Sequence, residues 1–123
     1  MSPEIGIHTR KGSGAIWHGL AGENFELISI TVDEGVRDSG NINTDDLRAG
    51  YCLERDSTNG KYIEWASDHD TLVILAEPLY DLADNGDQIA QAFWSGSFYK
   101  DAIIEPATVT WTSAQRFRIR GRY

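Results

Sequence analysis

The chain has one cysteine, Cys52, in 123 residues. A lone thiol excludes an internal disulfide framework and any cysteine-cluster metal site. No apolar run approaches the roughly 20 residues with which a helix crosses a bilayer. A basic-then-apolar leader of the signal-peptide kind is also missing, so synthesis in a reducing cytoplasm, with no membrane partner, is the expectation. Basic residues are scarce: 11 Lys and Arg stand against 19 Asp and Glu, a net charge of −8.

That charge is unevenly spread. Residues 1–11 carry Glu4, Arg10 and Lys11, and the last eight residues carry Arg116, Arg118, Arg120 and Arg122. The stretch 12–115 between them holds five basic and eighteen acidic side chains, a net −13. Such a body repels phosphate, so nucleic acid is not an expected partner.

Catalytic signatures are equally sparse. There is no nucleophile elbow, phosphate loop or dinucleotide fingerprint. His8, His18 and His69 lie far apart, and "DHD" at 68–70 has no companion ligands at zinc spacing. "DLADNGDQ" has acids and a glycine, yet lacks the closing glutamate of a calcium loop. An acid-pair hydrolase has only the abundance of carboxylates in its favour. The sequence therefore assigns no catalytic residue, no cofactor and no metal, and the expectation is a protein that is not an enzyme.

What is present is β-forming sequence. Hydrophobic residues make up 41% of the chain, with four Trp, five Tyr and four Phe, a globular composition. "YCLERDSTNGKYIEW" (51–65) sets Asn59-Gly60 between two β-prone arms, which predicts a hairpin with a type I′ turn. "FELISITV" (25–32) is a β-prone run free of Gly and Pro. "TLVILA" (71–76) has strand length and is ended by Pro78. "IAQAFW" (89–94) is read as a strand stopped by Ser95-Gly96, and 109–112 and 117–119 as short strands. "DLADNGDQ" is read as a polar hairpin turn. Short strands with turn signals every 8–12 residues indicate a small, mainly β domain.

The domain is placed at 45–123, with residues 1–44 as an extended N-terminal arm containing one strand, 25–32. The first 24 residues are rich in glycine and carry apolar residues without period, among them Ile16, Trp17 and Leu20. The closing "RFRIRGRY" alternates arginine with Phe117, Ile119, Gly121 and Tyr123. Such a strand either lays its apolar face on the core, its arginines pairing with the acidic body, or offers a cationic face to an acidic partner or nucleic acid.

Residues 46–106 carry a resemblance. "LRAGYCLERDSTNGKYIEW", then "TLVILAEPLYDL", then "AQAFWSGSFYKDAI", resemble in this order the head decoration proteins of lambda-like tailed phages. In that family a Leu-x-x-Gly step leads into a strand, a polar turn and a Gly-Lys-Tyr arm. "AQRFRIRGRY" is similar to the closing strand. Two departures stand out: about 45 residues precede the Leu47–Gly50 step, and the arm is glycine-rich and aromatic.

The resemblance implies a β-clip-like domain, trimeric at local three-fold positions on the outer surface of the expanded head. There it cements the shell against the pressure of the genome. Its partners would be the major capsid protein and its own copies, and its place the virion. It also makes the arm the attachment device, with Ile16, Trp17, Leu20, Phe25, Leu27, Ile28, Ile30 and Val32 as capsid-binding residues. Phe25–Val32 would add a strand to the capsid protein's sheet. The alternative is a small β module that binds a glycan or peptide through exposed Trp65, Trp94 or Trp111.

Overall fold

The structure is a computed structural model; it describes residues 8–11, by their backbone, together with 19–22 and 24–120. Among these the chain is mainly β, as expected. The strands are β1 (His8–Lys11), β2 (Asn24–Val32), β3 (Cys52–Arg55), β4 (Tyr62–Glu64), β5 (Val73–Leu75), β6 (Gln88–Tyr99) and β7 (Phe117–Arg120). One turn of helix, α1 (Leu82–Asn85), precedes β6, and a 3-10 turn, Lys100–Ala102, follows it.

The pairing runs in a circuit. β6 pairs antiparallel with β2 from Gln88–Val32 to Ser95–Glu26, and with β5 through Phe93–Ile74 and Ala92–Leu75. β5 pairs with β3, and β3 with β4. A single parallel pair, Val32–Tyr62, joins β4 back to β2. Beyond the circuit, β1 lies antiparallel on the other edge of β2, and β7 runs parallel to the second half of β6.

Alternation along the strands separates two hydrophobic clusters. Val73 and Leu75 join Ile30, Val32, Leu53 and Ala90 in one; Leu72, Ile74 and Ala76 join Phe25, Leu27, Phe93 and Phe98 in the other. Side chains alternate across a strand, so β5 is buried on both faces. That is why "TLVILA" is apolar without interruption. Fully burying each of Val73, Ile74 and Leu75 contributes about 1.5–3 kcal/mol before entropy is counted.

The hairpin forms where expected, with a different turn. Gly60 takes positive φ (77°), but Asn59 does not, so the turn is not type I′. Four residues make the connection: the Gly60 N–H donates to Asp56 O at 2.7 Å and the Asp56 N–H to Lys61 O at 2.8 Å. Asn59 contributes its side chain instead, Oδ1 accepting from the Lys61 N–H at 3.0 Å.

Three further expectations change. Ser95-Gly96 does not stop β6, which continues to Tyr99. Gly96 sits where the β2 ladder ends on one edge of β6 and the β7 ladder begins on the other, and a Cβ there would lie 3.0 Å from Phe98 Cζ and 3.1 Å from Phe25 Cβ. Glycine permits that approach and the bend that goes with it. "DLADNG" is not a plain hairpin turn; it closes into α1 after Asp81 adopts left-handed φ (52°). Residues 109–112 form no strand, and Val109 instead packs into the Phe25 cluster.

The largest correction concerns the arm. β2 has β6 along one edge and β1 along part of the other, and Phe25, Leu27, Ile30 and Val32 are buried. Val36 and Leu47 are buried as well. The compact domain therefore takes in β2 and the loop after it, and the boundary drawn at residue 45 moves towards the N-terminus. A β-prone run ahead of a polar loop looks alike whether it pairs with another chain or with a strand sixty residues on.

Candidate functional site

Of the residues assigned to a capsid-binding arm, Ile16 and Trp17 lie outside the described residues. Leu20 is half-buried, bridged antiparallel to Phe98 and packed on the Phe25 cluster. The Ala21 N–H donates to Ser97 O and the Tyr99 N–H to Gly19 O, both at 2.8 Å. Residues 19–21 thus prolong the β2 side of β6. Phe25 and Leu27 enter one core cluster and Ile30 and Val32 the other, while Ile28 is half-buried. Of the described side chains in this set, none is exposed.

Main-chain edges are what the fold leaves open. Among the described residues, the outer edges of β1 and β7 have no partner strand. Because β2 and β6 are neighbours, both edges belong to one lobe, ordered β1-β2-β6-β7. Sequence positions Arg10 and Lys11 fall on the first edge, Arg118 and Arg120 on the second. Open edges of this kind are templates for an extended segment of another chain.

In strand β7 Phe117 is buried, Ile119 is half-buried against the core, and Arg118 and Arg120 are exposed. Arg116 has a separate task. Its guanidinium lies 3.5 Å from the centre of the Trp94 ring. Nη1 donates to Trp94 O, and Nη2 donates to Asp70 O at 2.9 Å and Leu72 O at 3.0 Å. Burial lowers its pKa, and the charges of Tyr62, Asp70, Asp68 and Glu26 oppose that shift. Arg116 staples the start of β7 to β6 and to the loop before β5.

Trp65, Trp94 and Trp111 are each engaged within the fold. Trp65 is buried, its Nε1 donating to Asp68 O at 2.9 Å. Trp94 is covered by Arg116. Trp111 sets its ring edge-on to Phe117 and donates from Nε1 to Glu105 Oε2 at 3.4 Å. The turn "DHD" is tied within itself and to a later loop: Asp68 Oδ1 accepts from the Asp70 N–H, and His69 Nε2 from the Thr110 N–H. No group of three metal-ligating side chains occurs among the described residues.

At the opposite end of the circuit the connectors 33–47, 56–61 and 79–87 meet. Lys61 Nζ lies 2.6 Å from Asp87 Oδ2, and Asp87 Oδ1 accepts from the Glu34 N–H at 2.9 Å. The Leu82 N–H donates to Asp45 O at 3.1 Å and the Asp81 N–H to Asp46 Oδ1 at 2.9 Å. Beneath the first loop Asp38, 1% exposed, is gripped by Arg48 through Nε and Nη2, each at 2.8 Å. Burial alone would raise the Asp38 pKa. The bonds and charge of Arg48, with the Gly40 N–H, outweigh it and hold the carboxyl below its ordinary value.

Neither this pair nor the Arg116 staple was found by sequence reasoning. Asp38 and Arg48 stand ten residues apart in a polar stretch that carries no periodic signal. Arg116 was read as one of four equivalent arginines. Its position directly before the strand, rather than within it, was the available clue. A scan against models of known protein families finds no match to this chain, and no curated protein matches it.

Proposed function

We propose that this chain is a decoration protein of a phage capsid. It binds the outside of the expanded head as trimers at local three-fold positions, contacting the major capsid protein. The observation that carries this reading is the order of the motifs. The Leu47–Gly50 step, the Gly60 hairpin, the apolar strand β5, the acidic turn α1 and the strand β6 follow one another as in the family resembled. In this chain the strands among them, β3 and β4 of the hairpin, β5 and β6, are neighbours in one sheet, in the order β4-β3-β5-β6.

The attachment device differs from the strand first expected. β2 is paired on both edges at Glu26 and Leu27 and buries its large side chains, so it is not free to join a foreign sheet. The open edge of β1 offers main-chain donors and acceptors for strand addition, with register set by the chain it meets. A weak contact of this type suffices when several copies act together, since linked sites gain about 10²–10⁴ in avidity. A protein that binds the assembled shell, and not its separated subunits, stabilises the shell by mass action. No catalytic group takes part.

Removing residues 1–11 deletes β1 and leaves the circuit whole. The expected result is a folded protein that no longer sediments with expanded heads. Undiminished binding would refute the role given to β1, and failure of the intact chain to bind any expanded head would refute the function. Removing residues 1–34 is not equivalent, because it takes β2 out of the core and unfolds the domain.

A further inference from the structure

Among the described residues, the large apolar side chains left exposed are Ile42 (105%), Ile89 (77%) and Tyr80 (60%). All three belong to the acidic connector end or border it, since Tyr80 O accepts from Gln88 Nε2 at 2.9 Å. Ile42 stands on a braced loop. The Asp38 N–H donates to Thr44 O and the Asn41 N–H to Asp38 O, each at 3.0 Å, and Asn41 Nδ2 donates to Asp46 O at 2.9 Å. Under them lies the Asp38–Arg48 pair. The loop holds an exposed isoleucine, with Glu34, Asp46, Asp81 and Asp84 on the same connectors, where Asp45 and Asp87 are paired with Arg37 and Lys61.

The basic lobe has the complementary character. Arg118 and Arg120 are exposed on β7, whose outer edge has no partner strand among the described residues. Beside Arg118 runs an open groove of about 320 Å³, lined also by Ser95, Gly96, Ser97, Gln115, Arg116 and Phe117. It has room for a branched side chain.

We infer that the Ile42 loop and acidic end of one copy dock on the Arg118–Arg120 strand and adjoining groove of a second copy. Both halves of the contact lie on every chain, at different places, so the association is heterologous. It closes into a ring if the rotation per copy allows, and otherwise extends. The choice of a second copy rests on charge. A chain of net charge −8 disperses its copies unless parts of opposite charge meet, and the exposed Arg118 and Arg120 of β7 can offset the acidic end. This contact builds on the reading that several copies act together on a shell.

The test is sedimentation of the full chain at about 50 mM salt, where charged contacts are least screened. Four samples are compared: the natural chain, Ile42→Asp, the pair Arg118→Gln/Arg120→Gln, and an equal mixture of the two variants. Thermal unfolding of each variant checks that it is folded. The natural chain is expected as an oligomer, closed or extended, and each variant as the 13.7 kDa monomer. The mixture is expected as 1:1 heterodimers, since one variant keeps the socket and the other the loop. A monomeric natural chain, variants that keep the natural oligomer, or a mixture that stays monomeric overturns the inference. Binding to expanded heads is measured separately. Variants that keep the natural oligomer, with the natural chain bound to heads, sink the inference and leave the decoration reading standing. Heterodimers from the mixture, with no binding to heads, do the reverse.

Discussion

Replacing Arg116 by methionine keeps much of its length and removes its charge and donors. The structure gives that guanidinium three well-placed acceptors, Trp94 O, Asp70 O and Leu72 O, and the face of Trp94. Hydrogen bonds from a charged donor contribute about 1.5–3 kcal/mol each, and a cation on an aromatic face about 0.5–2 kcal/mol. Their simple sum overstates the loss, because Arg116 is partly exposed and water replaces some of what it gave. A net destabilisation of about 3 kcal/mol is expected, which for a domain of this size lowers Tm by about 10 °C. Lysine is the informative control. Its compact ammonium cannot reach carbonyls on both sides of the staple as a planar fork does, so Arg116→Lys should lose about 2 kcal/mol rather than recover the natural value. Thermal and urea unfolding followed by far-UV circular dichroism measure both. A methionine variant within about 3 °C of the natural chain, or a lysine variant equal to it, refutes the staple.

Three further outcomes are expected. Gly96→Ala sets a Cβ near 3 Å from Phe98 and Phe25 at φ 148°, and should cost about 2–3 kcal/mol in urea unfolding; a neutral result contradicts the packing. Asp38 and Glu105 are both held below their ordinary values: burial of Glu105 raises it, but Lys100, the Val109 N–H and Trp111 outweigh that. The unfolded chain therefore takes up protons first as pH falls. The stabilisation is complete above the ordinary values of 3.8 and 4.5 and is lost as pH falls through the lower folded ones. Urea midpoints between pH 7 and 2.5 should follow this course, with Asp38→Asn costing about 2 kcal/mol at pH 7 and flattening the acid limb; an unchanged limb counts against the pair. Burial pushes the Cys52 thiol well up, so alkylation at pH 8 should proceed only at the rate of global unfolding, and rapid labelling of the folded protein contradicts the core position.

The local parts of this fold were legible and the distant ones were not. The hairpin 51–65, β5 and the run that becomes β2 each announce themselves by composition. The partner of a strand is not a local property. β2 meets β6 through Ile30–Ala90 and Ser29–Gln91, sixty residues apart, and nothing near Phe25 distinguishes that pairing from one with another chain. Turn chemistry misled at Asn59, where a side-chain hydrogen bond took the place of positive φ, and at Ser95-Gly96, where a glycine that suggests a stop allows a change of partner. Of the proposed site, the arginine alternation of β7 was visible, while the Ile42 loop was hidden in polar sequence because its bracing depends on a buried ion pair.

The circuit of strands is sealed by very little. Val32–Tyr62 is its one register pair, reinforced by the Asp33 N–H on Tyr62 O at 2.9 Å and by Lys61 on Asp87. Every other junction is a ladder of two or more pairs. The β3–β4 hairpin is therefore a flap on a short latch. Raised salt, which weakens the lysine contact, should free its amides to exchange with deuterium well before those of β2 and β6, so the molecule parts along that seam while its spine stays shut.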